Sequence, residues 1–191
     1  MHKAQMAEQA MAETITLKDG RSVEVRPSQK GDGASVHAYL TELGASTPFI
    51  LTFPGDMRSV DAYEQHITGI NEGKFYSLSA FDPDSGQIVG NTSFHFGSRV
   101  KLAHVAELGT GVLPGWQGIG LGVWMLNRAI DDMRAIERIE KLELTVMDGN
   151  EVAMRMYERA GFEHEGRKKR SIKQPTGEYR DELLMGMWIG G

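Results

Sequence analysis

The middle of the chain contains the segment Val112-Leu113-Pro114-Gly115-Trp116-Gln117-Gly118-Ile119-Gly120-Leu121-Gly122. A β-rich run from Ala103 to Leu113 leads into it. An amphipathic pattern, with apolar residues spaced three and four apart, continues from Ile119 to about Arg138. Three glycines separated by single residues lie between the two. The segment therefore predicts a strand, a glycine turn and a helix, in that order.

The glycines of this turn, Gly118, Gly120 and Gly122, predict a site for an anion. Glycine allows the backbone to approach a ligand closely and to adopt a positive φ without steric cost. The first amides of a helix have no internal partners, and the positive end of the helix dipole lies behind them. Such a turn suits a phosphate or pyrophosphate, so we expect the protein to bind a phosphorylated cofactor.

Three cofactor classes compete for this turn. A P-loop needs Lys-Ser/Thr after its glycines, whereas Leu121-Gly122-Val123 follow here, which excludes that class. A dinucleotide fold needs G-x-G-x-x-G and a later acidic residue, for which Asp148 is placed suitably. The glycine spacing differs, however, and no second βαβ half follows, so this remains the less favoured alternative. The third class is coenzyme A.

Composition sets the remaining bounds. The 191 residues suffice for one full core, and the net charge of −5 argues against a dedicated nucleic-acid binder. The absence of cysteine excludes a thiol nucleophile and a zinc–thiolate site, and the six histidines lack ligand spacing. Residues 1–13 lack the apolar centre of a secretory signal, so we expect a flexible tail and a cytoplasmic protein.

The remaining chain alternates between strand and helix patterns. We expect strands at residues 14–17, 21–26, 74–81, 87–96, 101–113, 141–147, 162–172 and 180–189, and helices at 30–43, 59–71, 119–138 and 150–160. Gly44 is expected to end the first helix, and Ser59 to cap the second. With no repeat or long linker, residues 14–191 predict one α/β domain in which helices flank a mixed sheet.

Two motifs in the second half of the chain resemble those of the GNAT N-acetyltransferases. Gln117-Gly118-Ile119-Gly120-Leu121-Gly122 fits the acetyl-CoA motif Q/R-x-x-G-x-G/A of that family, and Val112-Leu113-Pro114 stands where the family has Val-x-Pro. Residues 150–162 fit the second motif, N-x-x-A-x-x-x-Y-x-x-x-G-F. The resemblance implies a mostly antiparallel sheet that splays between its two central strands.

The resemblance also implies a set of residues that bind acetyl-CoA. Backbone amides of the glycine turn bind the pyrophosphate, while the strand end before the turn pairs with the pantetheine arm and stabilises the oxyanion. Asn150 contacts the cofactor or positions the amine, although an N-cap role alone explains this residue. The residues implied are Val112, Gln117, Gly118, Ile119, Gly120, Leu121, Gly122 and Asn150.

For catalysis, the resemblance implies an acid and a base. Tyr157 lies seven residues after Asn150, on the same helix face, and would protonate the departing thiolate. Glu107 would accept the proton of the amine, through water, with His104 as the alternative base. Each has a structural alternative: Tyr157 as a core residue, Glu107 as an exposed strand carboxylate, and His104 as a structural histidine.

These observations predict an enzyme that transfers acetyl directly from acetyl-CoA to a primary amine of a small molecule. The loop from Thr47 to Arg58 and Tyr179 are candidates for lining the acceptor pocket. The alternatives are a non-catalytic acyl-CoA-binding or regulatory module, and acetylation of a protein N-terminus or lysine. Acetyl-CoA and an amine are the expected partners, without nucleic acid, membrane or metal, and a homodimer is left open.

Overall fold

The structure, a computed structural model, describes residues 12–71 and 75–191. Within them, eight strands and four helices alternate in the expected order. The strands are β1 (Glu13–Thr16), β2 (Ser22–Pro27), β3 (Phe75–Phe81), β4 (Ile88–Phe96), β5 (Val105–Val112), β6 (Lys141–Met147), β7 (Glu163–Lys173) and β8 (Tyr179–Trp188). The helices are α1 (Gly33–Ser46), α2 (Val60–Asn71), α3 (Leu121–Arg134) and α4 (Glu151–Ala160).

The tail predicted for residues 1–13 lies outside the described residues except at its end, where Glu13 begins β1. All eight strands form one sheet in the order β1-β2-β3-β4-β5-β6-β8-β7. Every neighbouring pair is antiparallel except β5 and β6. The mixed, mostly antiparallel sheet predicted above is therefore confirmed.

The single parallel pair, β5 and β6, separates part of the way along its length. Pairing covers three positions and ends where Glu107 lies opposite Glu143. Beyond that point β5 continues to Val112 while paired only with β4, and β6 continues to Met147 while paired only with β8. The predicted splay between the two central strands is therefore confirmed, and it leaves one edge of β5 without a strand partner.

The alternation of side chains along the strands produces two cores of unequal size. Helices α3 and α4 pack on one face, where Met125, Met133 and Tyr157 join apolar residues from most of the strands. The opposite face carries a smaller cluster in which Tyr39 and Leu43 of α1 contact strand residues. This second face is more polar, because β3 and β4 place serine and asparagine side chains there.

Several predicted element boundaries are wrong, among them the start of α1, which lies at Gly33 and not at Lys30. Helix α1 continues through Gly44 to Ser46, because packing of its buried face offsets the cost of a helical glycine, about 1 kcal/mol. Helix α3 ends at Arg134, where tight turns take over so that Lys141 can donate to the carbonyl of His104. Strand β5 begins only at Val105, since residues 100–102 form a 3₁₀ turn.

Candidate active site

The glycine turn presents a row of backbone amides without partners. Gly118 and Gly120 have φ values of +75° and +96°, a left-handed conformation that strains any residue with a Cβ, and Gly120 is the N-cap of α3. The amides of residues 118–123 donate to no acceptor among the described residues. Six neighbouring donors at the positive end of a fourteen-residue helix form a site suited to an anionic group such as pyrophosphate.

The hairpin between β1 and β2 holds this turn from one side. The amide of Lys18 donates to the carbonyl of Ile119 at 3.2 Å, and Arg21 donates to the carbonyl of Gly115 at 2.9 Å. The Arg21 guanidinium also stacks over Trp116, 4.1 Å from the ring centroid. The aliphatic stem of Lys18 lies over Gly120, about 3.4 Å from where a Cβ would stand. The hairpin therefore limits movement of the turn.

Within the turn, side chains and backbone have separate roles. The side-chain amide of Gln117 donates through Nε2 to the carbonyl of Val112 at 2.8 Å and so connects the end of β5 to the turn. The Leu121 side chain is buried in the larger core, so this residue can offer only its amide to a ligand. The side chains of Val112 and Ile119 are half-buried against the same core. The turn thus offers backbone donors held in place by packed side chains.

Helix α4 positions Asn150 and Tyr157. The Asn150 side chain accepts from the amide of Ala153 at 3.2 Å, so the predicted cap is present. Tyr157 is 7% exposed and packs edge-on against Phe162, with ring centroids 5.9 Å apart. Its hydroxyl has no partner among the described residues. Every fully buried side-chain nitrogen or oxygen of the described residues has a hydrogen-bond partner. The Tyr157 hydroxyl has none, so it is not fully buried and keeps contact with solvent. Burial raises the pKa of Tyr157 to about 12.

The two candidate bases lie on or beside β5. Glu107 is exposed at the last position of β5 that pairs with β6, opposite His95 of β4 and Glu143 of β6. It lies on the sheet face that carries α1 and α2. His104 is half-buried just before β5, where its carbonyl accepts from two amides of the chain that enters β6. Of the two, Glu107 is closer to the point where β5 and β6 separate.

A cavity of about 330 Å³ lies between the sheet and helices α1 and α2. Its floor includes Gly109, Thr110 and Gly111, the part of β5 that β6 no longer pairs with. Gly111 must lack a Cβ because one would stand 2.6 Å from Leu43 and 2.8 Å from the Tyr39 hydroxyl. The volume lies at the lower end of the range for small-molecule sites.

Hydrogen-bonded polar side chains form part of the cavity wall. The Asn91 amide donates to the hydroxyls of Ser77 and Ser79, both at 2.9 Å, and Ser28 bonds to the same two serines. The Tyr39 hydroxyl donates to the carbonyl of Gly111 at 2.8 Å. Burial raises the pKa of Tyr39, so this hydroxyl stays protonated. These bonds join β2, β3 and α1 to the strands that carry the cavity floor.

Two histidines line the outer part of the cavity around Phe75. The rings of His66 and His95 have centroids 5.9 Å apart, and each lies within 5 Å of the Phe75 ring. Burial lowers the pKa of His66, and the charges of His95 and Arg58 lower it further. His66 is therefore neutral at pH 7, in surroundings that disfavour additional positive charge.

The predicted pocket residues are only partly brought together. Ile50, Thr52 and Arg58 of the predicted loop line the cavity, whereas Tyr179 is exposed and does not. Sequence reasoning missed His66, His95 and Asn91. The pattern offered no signal for them, because they lie on two elements, α2 and β4, whose contacts depend on the packing of the sheet.

Two further expectations concerned a metal site and a membrane span. Residues 12–71 and 75–191 contain no group of three or more metal-ligating side chains. None of the helices described in them is long and apolar enough to cross a bilayer.

A sequence model of the acetyltransferase (GNAT) family matches residues 38–162, which is more than half of the chain. Among curated proteins, the L-amino acid N-acetyltransferase AaaT of Escherichia coli is 31% identical over 100 residues, covering 52% of this chain and 61% of that protein. The ribosomal protein uS5-alanine N-acetyltransferase of the same organism is 30% identical over 116 residues, covering 61% and 59%. The matched segments thus span about three fifths of these relatives.

Solved structures extend the similarity to most of the chain. A GNAT-family acetyltransferase from Streptococcus pneumoniae has a TM-score of 0.82 at 24% identity, covering 87% of this chain and 99% of that chain. The Salmonella typhimurium protein yncA, solved with its cofactor acetyl-CoA, has a TM-score of 0.78 at 19% identity, covering 88% and 95%. Together with the family match, the splayed strands and the glycine turn lead to one conclusion. The chain belongs to the GNAT family of acetyltransferases.

Proposed function

We propose that this protein transfers the acetyl group of acetyl-CoA directly to the primary amine of a small molecule. One observation carries the proposal: a single strand, β5, borders both sites that such a reaction needs. Its residues 109–111 line the cavity, and its carboxyl end leads into the glycine turn. Both features occur where β5 has parted from β6.

In this proposal the amides of residues 118–122 bind the pyrophosphate of coenzyme A. Their missing partners and the direction of the α3 dipole support the assignment. The free edge of β5 pairs with the pantetheine amides as an added strand does, and the amide near Val112 stabilises the oxyanion. Bound acetyl-CoA supplies an acetyl group activated as a thioester.

The amine nitrogen then attacks the thioester carbonyl carbon, so that a C–N bond forms and the C–S bond breaks, and the nitrogen releases its second proton to solvent. Before the attack the acceptor ammonium gives a proton to Glu107 through water, with His104 as the alternative base. Tyr157 donates its hydroxyl proton to the departing thiolate. A raised pKa of about 12 keeps Tyr157 protonated at neutral pH and so supports this role. Solvent contact at the hydroxyl allows the proton to be replaced.

The composition of the chain supports direct transfer of the acetyl group from coenzyme A to the amine. The sequence contains no cysteine, so a cysteinyl acyl-enzyme cannot form. A small acceptor is favoured by a cavity of about 330 Å³ that is walled by two helices. A protein N-terminus remains the alternative acceptor, because one relative modifies alanine of ribosomal protein uS5.

The proposal is tested by a screen of primary amines and peptide N-termini, in which release of free coenzyme A thiol is measured. We expect turnover with at least one class of small amine. Binding of acetyl-CoA by calorimetry without thiol release from any acceptor would instead support a non-catalytic module. Displacement of acetyl-CoA by a dinucleotide would instead support a dinucleotide as the ligand of the glycine turn.

A further inference from the structure

The charges around the cavity point to the kind of amine that it accepts. No Asp or Glu occurs among the described residues that line it, whereas Arg58 does, beside the neutral His66. A polyamine would bring additional positive charge next to Arg58, and the carboxylate of Glu107, across from His95 on β5, is not part of the lining. An acceptor that carries a negative charge would instead be attracted by Arg58. The lining therefore favours an anionic group on the acceptor.

Arg58 is the group best suited to bind such an anion. It lies just before α2 at the rim of the cavity and makes no ion pair with a described residue. Burial is the main cause of the lowered pKa of His66, and the positive charge of Arg58 adds to it, so Arg58 lies close enough to act on the cavity lining. A guanidinium binds a carboxylate through two parallel hydrogen bonds, which gives both affinity and orientation.

Asn91 provides a complementary acceptor beside β5. Its amide nitrogen donates to Ser77, Ser79 and the carbonyl of Leu78, at 2.9, 2.9 and 3.2 Å. Because a carbonyl can only accept, this bond fixes which end of the amide is nitrogen. The Asn91 side-chain oxygen accepts from no described residue, yet it belongs to a cavity-lining residue directly opposite Gly111. An N–H of the acceptor amine can fill that position.

We propose that the acceptor is a small amine with a carboxylate, of the α-amino-acid kind, and that Arg58 selects it by pairing with the carboxylate. Asn91 then receives the amine on the side of the cavity formed by β5. This inference rests on the proposed acetyl transfer and adds the acceptor class and the residue that determines it. It also implies that peptide N-termini are poor acceptors, since their neighbouring carbonyl is an uncharged amide.

The test compares free L-amino acids with their carboxamides, which keep the α-amine and replace the carboxylate by an uncharged amide, with kcat/KM expressed per unprotonated amine. For the wild type we expect kcat/KM to be about 10²-fold higher for the acid, the scale of one charge-assisted contact. In Arg58→Gln the ratio should fall to near one, while Arg58→Lys should keep part of it. Arg99→Gln, which removes an exposed arginine outside the cavity, should leave the ratio unchanged.

Affinity for acetyl-CoA, measured by calorimetry, should be the same in all variants, because Arg58 does not belong to the glycine turn. Acetylation of carboxamides or spermidine as efficiently as amino acids would overturn the Arg58 inference and leave the acetyl transfer standing. A preference for acids that survives in Arg58→Gln would do the same. If no amine is acetylated although acetyl-CoA binds, the proposed function itself is wrong and the inference falls with it.

Discussion

The two ends of the candidate active site differ in how they are built. The cofactor side is continuous in sequence: the end of β5, the glycine turn and the start of α3 follow one another within residues 105–134. The acceptor side is assembled from α1, α2, β3, β4 and β5 and from the loop before α2, with lining residues between Ser28 and Gly111. One side depends on backbone geometry, and the other depends on side chains that meet only in the folded chain.

This difference explains why one side could be anticipated. Amides in a turn bind an anion whatever the neighbouring side chains are, so glycine spacing alone indicates the ligand class. A cavity wall instead depends on strand order and on which face each side chain occupies. The glycine turn and the cavity can be tested separately, and the largest effect is expected at the turn.

Gly120→Asp tests the glycine turn, where the proposed ligands are backbone amides. The substitution places a residue with a Cβ at φ +96°, about 3.4 Å from the Lys18 stem, and puts a carboxylate among amides meant for a phosphate. We expect the dissociation constant for acetyl-CoA to rise by at least about 10²-fold, the loss of a charge-assisted contact. Calorimetry measures this, with Gly120→Ala as the matched control that adds strain without charge. Unchanged affinity in the Asp variant would remove the turn from the cofactor site.

Tyr157→Phe tests whether the second motif carries chemistry or only packing. The ring and its edge contact with Phe162 remain, while the proton is lost. We expect turnover to fall by roughly 10²-fold, with little change in melting temperature or in acetyl-CoA affinity. Steady-state kinetics beside a thermal melt give the answer. Turnover close to wild type would leave Tyr157 as a core residue.

Glu107→Gln tests the base at the junction of the two sides. Glu107 lies at the last position of β5 that pairs with β6, across from His95 of β4. We expect turnover to fall about tenfold, at or below the usual range for one acid–base group, since water relays the proton. Acetyl-CoA affinity should be nearly unchanged. A pH–rate profile decides the matter: if the variant keeps the wild-type rate and its alkaline rise, Glu107 is not the base, and His104→Gln is measured next.

His66→Gln probes the side built from side chains and should have the smallest effect. The pKa of His66 is held below its ordinary 6.5, mainly by burial. Below that pH the unfolded chain binds more protons than the folded one, so folding stability decreases as pH falls from about 6.5 toward the lowered pKa. We expect denaturant unfolding at pH 7.5 and 5.5 to show a smaller loss in His66→Gln than in wild type. His37→Gln, outside the cavity, serves as the control; an equal loss in all three proteins would contradict the assignment.

Most of the fold could be predicted because its signals are local. The alternation along β6 and the cap at Asn150 act within a few residues, so β6 and the start of α4 were predicted at their observed positions. The errors at α1 and α3 have the opposite character. Gly44 remains helical because Tyr39 and Leu43 pack on the sheet, and α3 stops early because the chain must reach β6. Neither cause is visible in a local pattern.

The sequence by itself determined the glycine turn, the family and the absence of a cysteinyl intermediate. These conclusions depend on residue types at fixed short spacings, which the chain carries whatever its tertiary arrangement. Only the tertiary structure decided the candidate acceptor side: the position at which β5 separates from β6, after Glu107, and the meeting of Arg58, His66 and Asn91 around one cavity. The physical reason is that strand order and face assignment are set by packing of the whole sheet, and no short segment specifies them.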